Sequence, residues 1–149
     1  MREVILDTET TGLDPKTGHR LVEIGAVELI NHTPTGVNYQ TYINPERNVD
    51  AGAQEIHGLT NEFLEQHPTF ADISVEFMSF LSDSTLVIHN APFDLAFINM
   101  ELGRLGMTPI CSEKVIDTLV LARKKFPGAQ ANLDALCRRF AIENRHREL

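Results

Sequence analysis

The order of apolar patterns predicts a single α/β domain: a mixed sheet that opens as an antiparallel meander, continues with parallel strands and carries helices on its faces. Two observations lead there. Between residues 3 and 43, three short runs place apolar side chains at strand spacing and are joined by turn-rich segments. Beyond residue 69 the spacing becomes helical and is broken by a brief all-apolar run, the pattern of helix–strand–helix units. A length of 149 residues suits one domain with its own core, so residues 1–149 are read as one unit.

Each element has a local cause. Residues 3–7 contain Val4-Ile5-Leu6 and read as a buried strand. Arg20 to Leu29 alternates in part, with Val22, Ile24 and Ala26 against Glu23 and Glu28. Val37 to Ile43 alternates again and stops at Asn44-Pro45. Asp14-Pro15 and Asn31 to Gly36 supply the turns. Thr69 then offers an N-cap with Asp72 in the first turn, and Phe70, Ile73, Phe77, Phe80 and Leu81 follow on one helical face as core residues. Thr85 to Ile88 is a short apolar strand. Pro92 fits the first turn of a helix running to about Leu105 and ending near Gly106. Asp117 to Phe126 and Asn132 to Phe140 read as two more helices, with Gly128 in the break.

Composition is that of an ordinary globular domain, 42% hydrophobic and 23% charged. No apolar run approaches the ~20 residues of a membrane helix, and Met-Arg-Glu-Val has no signal-peptide pattern. Cys111 and Cys137 are expected to be free and buried in a reducing cytoplasm. The net charge of −8 is unevenly spread: residues 1–110 carry 5 Lys/Arg and 16 Asp/Glu, residues 111–149 carry 8 and 5. An acidic body does not draw nucleic acid by bulk electrostatics. Such a ligand would need metal ions and a local basic edge, for which Arg123-Lys124-Lys125, Arg138-Arg139 and Arg145-His146-Arg147 are candidates; solvated helix faces explain them equally well.

Three short runs carry chemistry. In Asp7-Thr8-Glu9-Thr10-Thr11-Gly12-Leu13, two carboxylates stand at i and i+2 after a buried strand and project to one face. Like charges held that close call for a cation or a shared proton. The Thr-Thr-Gly that follows is expected to present free backbone N–H groups to an anion. In His89-Asn90-Ala91-Pro92-Phe93-Asp94 a strand ends and a helix begins, which is where α/β sheets bind ligands. Asp94 there is either a helix-start acid or a third member of a carboxylate cluster suited to Mg²⁺ or Mn²⁺. Phe93 reads equally as core or as a surface for a base or sugar. In Ile56-His57-Gly58-Leu59-Thr60, His57 sits in a glycine-containing loop, as a ligand contact or a structural hydrogen bonder. Phosphate-loop, nucleophile-elbow, C-x-x-C and H-E-x-x-H patterns are all absent from the sequence.

Together with Asn132-Leu133-Asp134-Ala135-Leu136-Cys137, these runs resemble the DEDD exonucleases of the DEDDh type, in the branch formed by the proofreading epsilon subunits of bacterial DNA polymerase III. The resemblance spans nearly the whole chain in the same order. It implies a ribonuclease-H-like fold and hydrolysis of DNA from its 3′ end by two divalent cations, Mg²⁺ or Mn²⁺. Carried over by position, Asp7, Glu9 and Asp94 are the catalytic, metal-holding acids. Asp7 and Glu9 with Thr10, Thr11, Gly12, His57, Asn90 and Phe93 would bind the terminal nucleotide. Implied partners are a frayed or single-stranded 3′ end, the polymerase III catalytic subunit and a small theta-like accessory subunit. An RNA-trimming relative and a non-catalytic polymerase-binding scaffold are the alternatives.

The chain departs from the family at its end. A His or Tyr followed by a fourth Asp, on one more helix, belongs just beyond Arg145-His146-Arg147-Glu148-Leu149. His146 lies too early and no Asp follows it. A chain cut short, a degenerate relative and a distant replacement would each account for this. Intact earlier motifs favour the first. The expectation is then weak metal binding, poor cutting, and an apolar strip left open beside the Asp7 strand that invites dimerisation.

Overall fold

The computed structural model describes residues 1–143; Arg145, His146 and Arg147 of the basic edge lie outside them. The described chain runs β1 (Arg2–Thr10), a 3₁₀ turn (Pro15–Thr17), β2 (Leu21–Ile30), β3 (Thr33–Tyr42), α1 (Ala51–His57), α2 (Asn61–Leu64) and α3 (Phe70–Leu81). It continues with β4 (Thr85–Ile88), α4 (Ala91–Arg104), a second 3₁₀ turn (Ser112–Lys114), β5 (Val115–Asp117), α5 (Thr118–Lys125) and α6 (Leu133–Arg139). The five strands form one sheet in the order β3-β2-β1-β4-β5. β1, β2 and β3 pair antiparallel, while β4 joins β1 and β5 joins β4 in parallel. The expected meander and parallel extension are both present, and β1 lies at their junction.

Asn31 and His32 turn the β2–β3 hairpin with φ of 49° and 66°. A two-residue hairpin loop needs such left-handed residues, and Asn tolerates them best after Gly. β1 runs three residues past its expected end because β2 pairs with it as far as Thr10. One sheet face presents Val4 and Leu6 of β1 with Ala26 and Ile24 of β2 to α3 and α4. Phe70, Phe77, Phe97 and Ile98 fill that layer at 1% exposure or less. Each such side chain withdrawn from water contributes roughly 1.5–3 kcal/mol. Thr69 and Asp72 form a reciprocal capping box at the start of α3, as the sequence predicts. A smaller cluster of Val22, Val49, Leu59 and Leu64 anchors α1 and α2.

The opposite face carries Asp7 and Glu9. There the register aligns Val27, Ile5, Val87 and Ile116 in one row across β2, β1, β4 and β5. Ile5, Val27 and Ile116 in that row are 41%, 38% and 37% exposed. Both cysteines are free, but Cys111 is exposed and Cys137 half-buried. Neither is the fully buried thiol the composition implied: Cys111 caps the exposed 3₁₀ turn Ser112–Lys114, and Cys137 lies on α6 away from its buried Ala135.

Candidate active site

The sheet order sets the site. Strand alternation sends Asp7 and Glu9 to the open face and Thr8 to the helix-covered one, where Thr8 is 8% exposed. α4 begins just after β4, which lies parallel to β1, so its first turn faces the far end of β1. Asp94 in that turn is 4% exposed and accepts a 2.5 Å hydrogen bond from the Thr8 hydroxyl. The three sequence-predicted acids are therefore neighbours through Thr8, the residue between two of them. They do not form a direct three-carboxylate cage: among the described residues no group of three or more His, Cys, Asp or Glu side chains stands at metal-holding spacing. The cause is local. A buried carboxyl beside another negative charge gains from a hydroxyl donor, and Thr8 offers one on the face away from Asp7.

Burial pushes the Asp94 carboxyl up to about 7; the Thr8 hydroxyl works against that rise and the charge of Asp7 adds to it. Burial also raises Glu23, with the amide of Gln40 opposing and Asp7 again adding. Glu23 is the cross-strand partner of Glu9 and shares its face, and Gln40 donates to it at 3.1 Å. It was not among the sequence candidates. Its only signal was an acid inside the apolar run Val22-Glu23-Ile24.

The raised Asp94 carboxyl has a measurable consequence. Its folded-state proton affinity exceeds that of the unfolded chain, so its contribution favours the fold at low pH and is lost as pH rises from about 4 through about 7. With metal chelated, the wild-type chain is expected to lose on the order of 2–3 kcal/mol relative to Asp94→Asn between pH 5 and pH 8. Urea titrations of the two proteins at both pH values check this; parallel curves would refute it.

Beside the acids lies a cleft of about 590 Å³, lined among others by Thr8, Glu9, Thr10, Gly12, Leu13, Ile56, His57 and Phe93. Leu13 and Ile56 are 81% and 61% exposed, so the cleft has apolar walls open to a ligand. Both were missed, since an isolated exposed apolar residue leaves no periodic trace. Phe93 answers to both of its readings: it packs on Phe97 at 5.2 Å between ring centroids and lines the cleft.

Other expected residues hold the site's shape. His57 does not lie in a loop. It is the last residue of α1, with Gly58 as the left-handed cap at φ 74°. Its Nδ1 accepts from the Leu59 N–H at 3.0 Å, so Nε2–H donates to the Thr10 carbonyl, also at 3.0 Å. At 2% exposure, with burial lowering its pKa, it is a neutral clamp on the end of β1. Thr11 is a correction. It is fully buried and turned out of the cleft, its hydroxyl accepting from the Arg20 N–H at 3.0 Å and meeting His19 Nδ1 at 2.9 Å. Its own N–H donates to the Arg20 carbonyl, so the expected run of free backbone donors is interrupted there. His19, another missed residue, lies over Gly12, where an added Cβ would come within 2.4 Å of its ring. Only glycine fits beneath that imidazole. Asn90 and Asp7 are not among the cleft's lining residues. Asn90 is exposed with φ 63°, and Asp117 holds this turn by accepting from the N–H groups of Asn90 and Ala91 at 3.0 Å each.

A five-stranded mixed sheet with carboxylates at the end of its central strand, facing a helix start and a nucleotide-sized cleft, defines a ribonuclease-H-like nuclease fold. Residues 4–149 match the family model described as Exonuclease (RNase_T), and the chain belongs to that exonuclease family. It is 54% identical to the DNA polymerase III subunit epsilon of Rickettsia prowazekii over 152 aligned residues, covering 100% of this chain and 66% of the relative. The chain thus spans just under two thirds of the length of such curated relatives. Among solved structures, it superposes on exonuclease X in complex with 5′ overhanging duplex DNA with a TM-score of 0.74 and 26% identity, covering 96% of this chain and 75% of the other. Apo exonuclease I gives a TM-score of 0.84 at 18% identity, over 95% of this chain and 37% of the other, a likeness of fold.

Proposed function

We propose that this chain is the 3′-5′ exodeoxyribonuclease part of a proofreading subunit that works with a DNA polymerase III. What supports the reading is Glu9 on the wall of a cleft of about 590 Å³, with Asp7 on the same strand face and Asp94 held from behind by the Thr8 hydroxyl. The relatives' name supports the polymerase partnership. A small theta-like accessory subunit belongs to the same reading.

Exonucleases of this family generally use divalent metals. Two like-charged carboxylates on one strand face suit a hard cation, and Mg²⁺ is commonly held by one or two carboxylates with its own waters completing the shell. Asp7 and Glu9 would hold the metal, with Asp94 behind them reaching it through water. Two such ions, when bound, supply water activation and stabilise the departing 3′ oxygen. The protein's own groups do the rest. Leu13, Ile56 and Phe93 offer apolar walls to the terminal base, and His57 fixes the strand end that carries the acids. His57 has both ring nitrogens engaged, so it positions and does not exchange protons. A mispaired 3′ end reaches the cleft without first being melted, which is the selectivity proofreading needs.

The test is single-turnover digestion of a 5′-labelled primer by the full-length gene product in Mn²⁺. The expected pattern is stepwise shortening from the 3′ end, faster for a mismatched than for a paired terminus, faster for DNA than for RNA, and absent in chelator. Internal cleavage, or shortening that persists without metal, would refute the assignment.

A further inference from the structure

The cleft lies toward α1, and α5 springs from β5, two strands away on the other side of the acids. A polynucleotide whose last residue fills the cleft and whose chain runs on past the acids would reach α5. Asp117 caps α5 and its carboxylate also holds the first turn of α4; the eight residues of α5 span about 12 Å. Its last turn is Arg123-Lys124-Lys125, and the last turn of α6 is Arg138-Arg139.

The fold brings these two ends together. Phe126 and Phe140, just past the two helices, meet at 5.8 Å between ring centroids. The Arg139 guanidinium lies 4.2 Å above Phe126, and the Lys125 ammonium 5.8 Å and 6.0 Å from the two rings. Such stacking steadies the charges while leaving their hydrogen-bonding edges in water. Residues 118–143 hold five Lys/Arg against two acids, whereas residues 1–117 hold 6 against 18. An isolated positive patch on an acidic body has a strong preference for polyanions.

We propose that the joined ends of α5 and α6 form a seat for the sugar–phosphate backbone of the substrate, upstream of its 3′ end. This rests on the nuclease reading above. The seat gives an acidic enzyme its hold on the polymer, while the cleft reads the terminal nucleotide.

The test pairs two probes. Lys124 and Arg138 are exposed and outside the ring stack. The double variants Lys124→Glu/Arg138→Glu and Lys124→Gln/Arg138→Gln are compared with the unaltered chain. One probe is a fluorescent 20-nucleotide DNA strand, the other thymidine 5′-monophosphate, each with Mn²⁺. The charge reversal is expected to weaken strand binding about tenfold and lower the salt slope by about 1.4, from 0.7 per phosphate contact. The glutamine pair shows a smaller loss in the same direction, and mononucleotide binding does not change. Unchanged strand affinity and slope would overturn the proposal. So would intact strand binding with lost capture of an acidic peptide, which would make the edge a protein dock. Mononucleotide binding reports separately on the cleft: its failure in the unaltered chain sinks the nuclease reading, while the strand measurement still judges the seat.

Discussion

Asp7→Ala is expected to abolish the gain in melting temperature that Mn²⁺ gives this chain, and to lower metal-dependent cutting by the full-length gene product about 10²–10³-fold, the scale of losing one preorganised charge at a reacting centre. The metal-free protein should move the other way. The Asp7 charge raises the pKa of both Asp94 and Glu23, so its removal takes a repulsion off two neighbouring carboxylates. That opposition of signs separates a site acid from a structural one. Thermal melts with chelator and with Mn²⁺ check both halves. An equal Mn²⁺ shift in Asp7→Ala would remove Asp7 from the metal site.

Glu101→Ala is expected to be strongly destabilising, costing about 3 kcal/mol of unfolding free energy. Glu101 is 2% exposed on α4 and binds the Arg20 guanidinium at 2.7 Å through Nη2 and 2.9 Å through Nε, with Arg104 at 3.1 Å. Its loss strands Arg20 at a largely covered position. Arg20 also donates its backbone N–H to Thr11, so the damage reaches the turn that shapes the cleft. Urea midpoints at neutral pH measure the cost, and Glu101→Gln, which keeps shape and some hydrogen bonding, should recover part of it. A variant within 1 kcal/mol of wild type, a value below the usual range for breaking a buried pair, would show that the ion pair is dispensable.

How much of this was legible in the sequence depended on the range of the forces involved. Periodic burial is local, so α3, α4, α6 and the meander were readable, with Thr69 found as an N-cap; Asn132 was read only as the start of its helix, which it caps. α1, α2 and β5 were not: they are 7, 4 and 3 residues long, too short for a period to show, and are held by packing from elsewhere. Asp117 illustrates the limit. It was read as the start of a helix, which it caps, but it also closes β5 and holds the Asn90 turn. The acids could be named because a D-x-E on a strand has one face. The orientation of Asp94 toward Thr8 could not, since it depends on how β4 lies against β1. Leu13, His19, Glu23 and Ile56 entered the site through tertiary contacts that no spacing rule encodes.

The bond from Thr8 to Asp94 closes a loop of 86 residues. During synthesis, the first acids leave the ribosome long before their counterpart, and β4 must then find β1 across the whole intervening chain. Nearly two thirds of the described polypeptide has to emerge before the acids can be neighbours at all. The carboxylates of such a nascent chain stay apart until the crossover closes, so the acidic corner is assembled late in folding.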